Sequence, residues 1–180
     1  MEADRRKVAE RNFILQQGLA APPPASCTAR YRSLVFQPRI VGLVVIAGVL
    51  LQSPAIFLAL GAVLWWSALN PRWNPFDAIH NATLGSTAGG LLLSPAPAPR
   101  RFSQGMAGTF ALSIGIFLLL QWLLVAYVAE VLMLGAVAAI VFGRFCLGSF
   151  LYHLLRGQGA FARRTLPWRR DDEELKATGT

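Results

Sequence analysis

From Ile40 to Pro71, from Phe102 to Ala129 and from Val131 to Gly143 the chain carries no Asp, Glu, Lys or Arg. Stretches of that length belong in lipid, because a helix needs about 20 apolar residues to cross about 30 Å of hydrocarbon at about 1.5 Å per residue. Composition agrees: 54% of residues are hydrophobic and 14% charged, against roughly 25% charged in a soluble domain. With 180 residues in all, a few spans and modest tails use up the chain. The predicted class is an all-α integral membrane protein without a separate soluble domain.

The uncharged run at 40–71 is too long for one ordinary span and slightly short for two. Its middle decides the matter: Gln52-Ser53-Pro54 is a polar break in which Ser53 can cap a new helix and Pro54 can occupy its first turn, where a missing N–H is harmless. Two short spans are expected, about 36–51 and 54–69, with Trp65 and Trp66 as interface anchors. Residues 70–101 are rich in proline and glycine and form a connection rather than a span. Within it Asn74-Pro75-Phe76-Asp77 has the form of a helix start, which predicts a short interfacial helix over about 76–84. The alternating prolines Pro95, Pro97 and Pro99 then keep the chain extended up to Arg100. Between Gly105 and Leu155 charge appears only at Glu130 and Arg144. That length suits two further spans, about 105–126 and 131–154, with a turn near Tyr127 to Glu130. A four-helix membrane domain at 34–155 thus lies between a basic, proline-containing tail at 1–33 and a charged tail at 156–180. In the first tail Val8, Phe13, Ile14 and Leu15 give a weak apolar side to a short helix that Pro22-Pro23-Pro24 ends. A docked helix and a frayed tail are both compatible with that pattern.

The basic residues orient this arrangement. Of the 17 Lys and Arg, seven lie up to and including Arg39 in the first turn of the first span, three lie in the central connection and seven follow Gly143, and none falls in either turn between paired spans. With four spans every basic residue is on one face, which places both termini in the cytoplasm. The net charge of +8 then serves contact with anionic head groups rather than with nucleic acid. No apolar run near the start has the form of a signal peptide, so the N-terminus is expected to stay cytoplasmic. Two cysteines, Cys27 and Cys146, do not make a disulfide framework.

Small residues recur every fourth position at Ala107, Ala111 and Gly115 and again at Gly135, Ala139 and Gly143. Such stripes let helices approach closely in lipid, which predicts a tight hairpin of the last two spans. No Asp, Glu, Lys, Arg or His falls near the middle of the first three predicted spans, and Arg144 is counted with the basic residues of the cytoplasmic face, an argument against a pump or ion pathway. Gln52 and Glu130 read as residues of the outer turns, and Gln121 as a group that hydrogen-bonds between helices. At helical spacing Cys146, Ser149, Phe150 and His153 share one face, making Cys146, Ser149 and His153 the candidate reactive site. A metal site of Cys146, His153 and His80 has no spacing motif behind it. No cofactor is expected.

Phe145-Cys146-Leu147-Gly148-Ser149, followed by Tyr152, resembles the Phe-Cys-x-Gly-Cys end of a bacterial integral-membrane family known as domain of unknown function four-three-nine-five. The resemblance extends back through Pro99-Arg100-Arg101-Phe102 and Asn70-Pro71, covering roughly 33–155, and it implies that the membrane is a bacterial cytoplasmic membrane. The family pattern has a second cysteine where this chain has Ser149, so the dithiol couple it implies lacks one sulfur here. The expected function is that of a non-catalytic accessory or scaffolding subunit of a larger membrane assembly, respiratory or photosynthetic, with another membrane protein as partner. The alternatives are a thiol-redox or thiol-transfer component pairing Cys146 with a partner's cysteine, and a small-molecule carrier, which needs a polar cavity between its helices.

Overall fold

The computed structural model of the protein describes residues 2–85 and 91–169, with side chains from Asp4 onward. The acidic run Asp171-Asp172-Glu173-Glu174 of the C-terminal tail, with Arg170 before it, lies outside the described residues. The elements in chain order are α1 (Glu2–Gln16), α2 (Cys27–Leu34), α3 (Phe36–Leu51), α4 (Pro54–Leu69), a 3-10 turn (Pro71–Trp73), α5 (Pro75–Thr83), α6 (Ala98–Leu119), α7 (Leu123–Val141), α8 (Leu147–Leu155) and α9 (Gly159–Arg164). The chain is all-α over these residues. Three helical stretches, Cys27–Leu51, Ala98–Leu119 and Leu123–Val141, are long and apolar enough to cross a membrane, and Pro54–Leu69 is apolar but shorter. The molecule has the character of a multi-pass membrane protein.

Local chemistry accounts for most helix ends. Pro38 lacks the N–H that would bond the carbonyl of Leu34, and α2 stops there, leaving Val35 as the joint to α3. Pro54 opens α4 as expected, although Ser53 at the cap makes no side-chain bond to the helix. Asn74 does cap α5, accepting from Phe76 N at 3.0 Å. The turns after α3 and α6 are alike: Gln52 and Gln121 adopt left-handed φ values of 46° and 57°. Each returns its side-chain amide to a carbonyl three residues back, Val49 O at 2.8 Å and Leu118 O at 3.0 Å.

Helices α3, α4, α6 and α7 form a ring in which each packs on two neighbours: α3 on α4, α4 on α6, α6 on α7 and α7 on α3. Their shared core includes Val45, Phe57, Leu64, Ile114, Ala126 and Met133. The turns at Gln52 and Gln121 mark one end of the ring. At the other, basal, end α1, α2 and α8 gather around a second core of Phe13, Ile14, Cys27, Tyr31, Val35 and Cys146.

Two expected spans are corrected. The third helix runs Ala98–Leu119 rather than 105–126, and the turn falls at Leu120 to Trp122 rather than at Tyr127 to Glu130. Charge was a poor marker here, because the turn is apolar except for Gln121. Glu130 lies within α7, buried, and accepts a hydrogen bond from Gln52 Nε2 at 3.2 Å. The fourth helix does not reach residue 154. It ends at Val141, Arg144 takes a left-handed φ of 54°, and α8 begins afresh at Leu147. The N-terminal segment is docked rather than frayed: Phe13 and Ile14 are buried, and Asn12 donates to Leu166 O at 3.1 Å and Arg169 O at 3.2 Å.

The small-residue stripes do not meet. Gly115 packs on α4, where an added Cβ would lie 2.8 Å from Leu58 Cγ and 3.1 Å from Pro54 O, whereas Gly135 has nothing within 4 Å. Ala111 is fully buried in the bundle core and Ala107 packs at its edge. The atoms nearest to a Cβ at Gly143 belong to Ala139 in the preceding turn, its carbonyl oxygen at 2.7 Å.

Candidate functional site

At the basal end of the ring a line of polar side chains crosses from α5 to α6 through α3. Asn74 Nδ2 donates to Asp77 Oδ2 at 3.1 Å, fixing a carboxylate in the first turn of α5. Arg100, in the first turn of α6, grips both oxygens of Asp77, at 2.6 and 3.2 Å. Both side chains are nearly removed from solvent, at 6% and 9% exposure. A buried charge is tolerated only when so paired. Arg100 also donates to Gln37 Oε1 at 3.1 Å, and the same oxygen accepts from Gln104 Nε2 at 2.8 Å. Arg100 and Gln104 stand one helical turn apart and so face the same way. Next to Arg100, Arg101 donates to Ala68 O at 2.7 Å and closes the C-terminal end of α4.

A second polar group adjoins the first. Ser103, on α6, is 3.4 Å from Cys146 Sγ and 2.9 Å from Ser149 Oγ. Cys146 N donates to Gln16 Oε1 at 3.0 Å, and His153 Nε2 is 3.1 Å from Gln16 O while its Nδ1 is 2.7 Å from Gln158 Oε1. The approach of α8 to α6 depends on Gly148, where a Cβ would lie 2.9 Å from Ser103 Cα. Arg144 fastens this corner, with its guanidinium over the Tyr31 ring at 5.7 Å and 3.8 Å from Glu10. The fully buried Glu10 is also held by Arg6 at 3.0 Å and Thr28 at 2.8 Å.

Cys146, Ser149 and His153 therefore do come together, buried at one site. Their setting differs from the expected one. The continuous span predicted across 131–154 would put Cys146 near a helix C-terminus, whereas it is the residue that precedes α8, at that helix's positive end. His80 belongs elsewhere, with its ring edge-on to Phe36 at 5.2 Å. Among the described residues no group of three or more His, Cys, Asp or Glu is placed to hold a metal ion.

Above these polar groups lies a cavity of about 370 Å³, within the size range of small-molecule sites. Its walls come from α3, α4, α6 and α7 and are chiefly apolar, including Val41, Leu64, Phe110, Met133 and Val137. Its polar lining is Gln17, Gln37, Arg100, Ser103, Gln104 and Cys146. Sequence reasoning missed Gln17, Gln37, Arg100, Ser103 and Gln104 as site residues. The available signal was the spacing of Arg100, Ser103 and Gln104, which puts three polar groups on one side of an otherwise apolar helix.

Residues 32–157 match the family described as Domain of unknown function (DUF4395). The chain belongs to that family. The matched segment takes in the whole ring, α5, α8 and the cavity's polar end apart from Gln17, while α1 and α9 lie outside it. The DUF4395 region thus supplies most of the cavity's walls, with Phe13 and Gln17 added from outside it. No curated protein and no solved structure matches the chain.

Proposed function

We propose that this DUF4395 protein crosses a bacterial cytoplasmic membrane four times, with both termini in the cytoplasm, and holds a lipid-soluble small molecule between its helices. The cavity carries this reading: its long sides are apolar, its basal end is polar, and ligand sites of this size combine the same two elements. The distribution of all 17 Lys and Arg on one side of a four-span chain supports the orientation. At 16 residues each, α3 and α4 reach about 24 Å, so a slightly thinned bilayer or polar flanks complete these spans.

In this reading the chain is a non-catalytic accessory subunit that presents or stores its ligand for another membrane protein. Thiol exchange through Cys146 needs its sulfur to meet a second one, and Cys146 is only 3% exposed, at the buried contact with Ser103. The neighbouring Ser149 supplies no sulfur.

Purification in a mild detergent followed by mass spectrometry of extracted small molecules tests the binding role. A bound molecule is expected with the wild-type protein and should be lost from a folded Ala136→Trp variant, because Ala136 on α7 lines the cavity and an indole there would fill it. Equal recovery from both proteins would remove the cavity from consideration. For the topology, a thiol introduced at Ser53 should react with an impermeant reagent added outside intact cells and one at Arg156 should not; the opposite pattern refutes the orientation.

A further inference from the structure

We propose that a groove between α4 and α6, separate from the chamber described above, is a site for one anionic phospholipid, with its phosphate at Arg101 and an acyl chain laid along α6. The site goes beyond the chamber's ligand and does not depend on it. The seam between these two helices is tight at Gly108, where an added Cβ would lie 2.9 Å from Trp65 Cδ1. Three residues earlier it loosens. At Gly105 the nearest atoms to an added Cβ, on Ala68 and Trp65, are 3.8 Å away. The helices part there around a groove of about 550 Å³, walled by Trp65 and Leu69 of α4 and by Phe102, Met106 and Phe110 of α6. Trp65 and Phe102 are each 37% exposed and Leu69 is 63% exposed, so the groove opens on the outside of the bundle, where a membrane helix meets lipid. Phe110 is the one residue it shares with the chamber.

The basal end of the groove is cationic. Arg101, in the first turn of α6, lines it and is partly exposed. Its Nε donates to Ala68 O at 2.7 Å, and Ala68 lines the groove too, so the guanidinium is pinned between the two helices. That bond uses one of five N–H groups, and Nη1 and Nη2 carry the other four. Among the described residues no carboxylate pairs with Arg101, in contrast to its neighbour Arg100, whose charge is matched by Asp77. Arg72, exposed in the 3-10 turn that follows α4, adds a second positive charge at this end. A phosphate diester accepts paired hydrogen bonds from a guanidinium, and basic pockets between membrane helices on the cytoplasmic side take anionic head groups. On the topology proposed above this end faces the cytoplasm. From Arg101 to Phe110 the groove follows α6 for about 14 Å, close to half of a hydrocarbon core of about 30 Å. Its one hydroxyl along that length, on Thr109, is spent on Gly105 O at 3.0 Å within the helix. A wall as deep as one leaflet with a cation at its foot fits a phospholipid, whereas a soluble phosphate would gain from Arg101 alone.

The test uses the full-length protein purified in detergent and three probes: phosphatidylglycerol, phosphatidylcholine with the same acyl chains, and glycerol 3-phosphate. Native mass spectrometry counts the molecules retained per chain as each probe is titrated. One phosphatidylglycerol should be retained, roughly tenfold more tightly than phosphatidylcholine, the factor for one hydrogen bond to a charged group. Glycerol 3-phosphate should not be retained. Arg101→Gln should bring phosphatidylglycerol down to the level of phosphatidylcholine. Gly105→Leu, whose Cβ the seam has room for, should weaken both lipids by filling the place of the acyl chain, and it carries the test if Arg101→Gln does not fold. Equal retention of the two lipids by the wild type, or retention by Gly105→Leu equal to that of the wild type, overturns the site. Glycerol 3-phosphate retained as tightly as phosphatidylglycerol overturns the lipid in favour of a simple anion. None of these readings depends on which way the chain crosses a cell membrane or on what the chamber holds, so the site can fail while the proposed function stands, and the reverse.

Discussion

Helix α6 has two long neighbours, and it meets them differently. On the α4 side its glycines bring backbone to backbone: a Cβ at Gly108 would lie 3.2 Å from Gly61 O and 2.9 Å from Trp65 Cδ1, and one at Gly61 would lie 2.6 Å from Leu112 Cγ and 3.0 Å from Gly108 O. On the α7 side the helices meet near the turn at Gln121, while the cavity takes up space between them toward the basal end. There the polar line from Asp77 to Gln104 forms the floor. In lipid the hydrophobic effect does not pull helices together, so close association depends on shape. The α4 seam has that shape and the α7 seam leaves a chamber. A bundle tight on one side can stay open on the other without collapsing.

The sharpest way to break this division is to attack the floor of the chamber. Asp77→Asn leaves the Arg100 guanidinium buried without its carboxylate, and removing one partner of a buried pair typically costs about 3–5 kcal/mol. A large fall in the unfolding midpoint in detergent is expected. The double variant Asp77→Asn with Arg100→Gln should be more stable than Asp77→Asn alone, because it removes the stranded charge. A double variant no better than the single would show that the pair acts through something other than charge compensation.

Next in size is the tight seam. Gly108→Leu drives a side chain into Trp65 and the Gly61 carbonyl, and overpacking of this kind costs typically about 1–3 kcal/mol. The unfolding midpoint should fall, and cysteines introduced on facing positions of α4 and α6 should crosslink more slowly. Unchanged crosslinking would mean that the helices do not depend on these glycines.

Signals confined to a few residues were legible in the sequence. The break at Gln52-Ser53-Pro54 and the start of α5 at Asn74 both depend on local backbone chemistry, and both occur where it placed them. The turn between α6 and α7 was misplaced because Glu130 looked like a turn residue, while its buried carboxylate is in fact received by Gln52, distant in sequence. The docking of α1 was not decidable for a related reason: Gln16 is held by Cys146 and His153, more than a hundred residues away. At the site, Cys146, Ser149 and His153 were found together because they are close in sequence. Gln37, Asp77, Arg100 and Gln104 were not grouped, because three separate helices bring them together. Small-residue spacing showed that close packing was available but not which face used it.

The smallest expected effect concerns that last point, at Gly135. Gly135, Ala139 and Gly143 have the same four-residue spacing as Ala107, Ala111 and Gly115, and spacing alone predicts equal sensitivity to a larger side chain. The surroundings do not agree. Gly135 is exposed and a Cβ there meets nothing within 4 Å, so Gly135→Leu points a side chain toward lipid acyl chains. Removing a glycine from a helix interior gains up to about 1 kcal/mol in aqueous hosts, and surface changes otherwise stay within about 0.5 kcal/mol. The unfolding midpoint of Gly135→Leu should therefore equal or slightly exceed that of the wild type. Gly143→Leu is the informative neighbour, because its Cβ would lie 2.7 Å from Ala139 O and so strain the end of α7 within the same chain. Loss of stability at Gly143 with none at Gly135 would trace the first to the turn before Arg144 rather than to a helix partner. If Gly135→Leu proved as damaging as Gly108→Leu, α7 would have to pack its glycine face against another protein, and the open side of the bundle would be an interface rather than a lipid-facing surface.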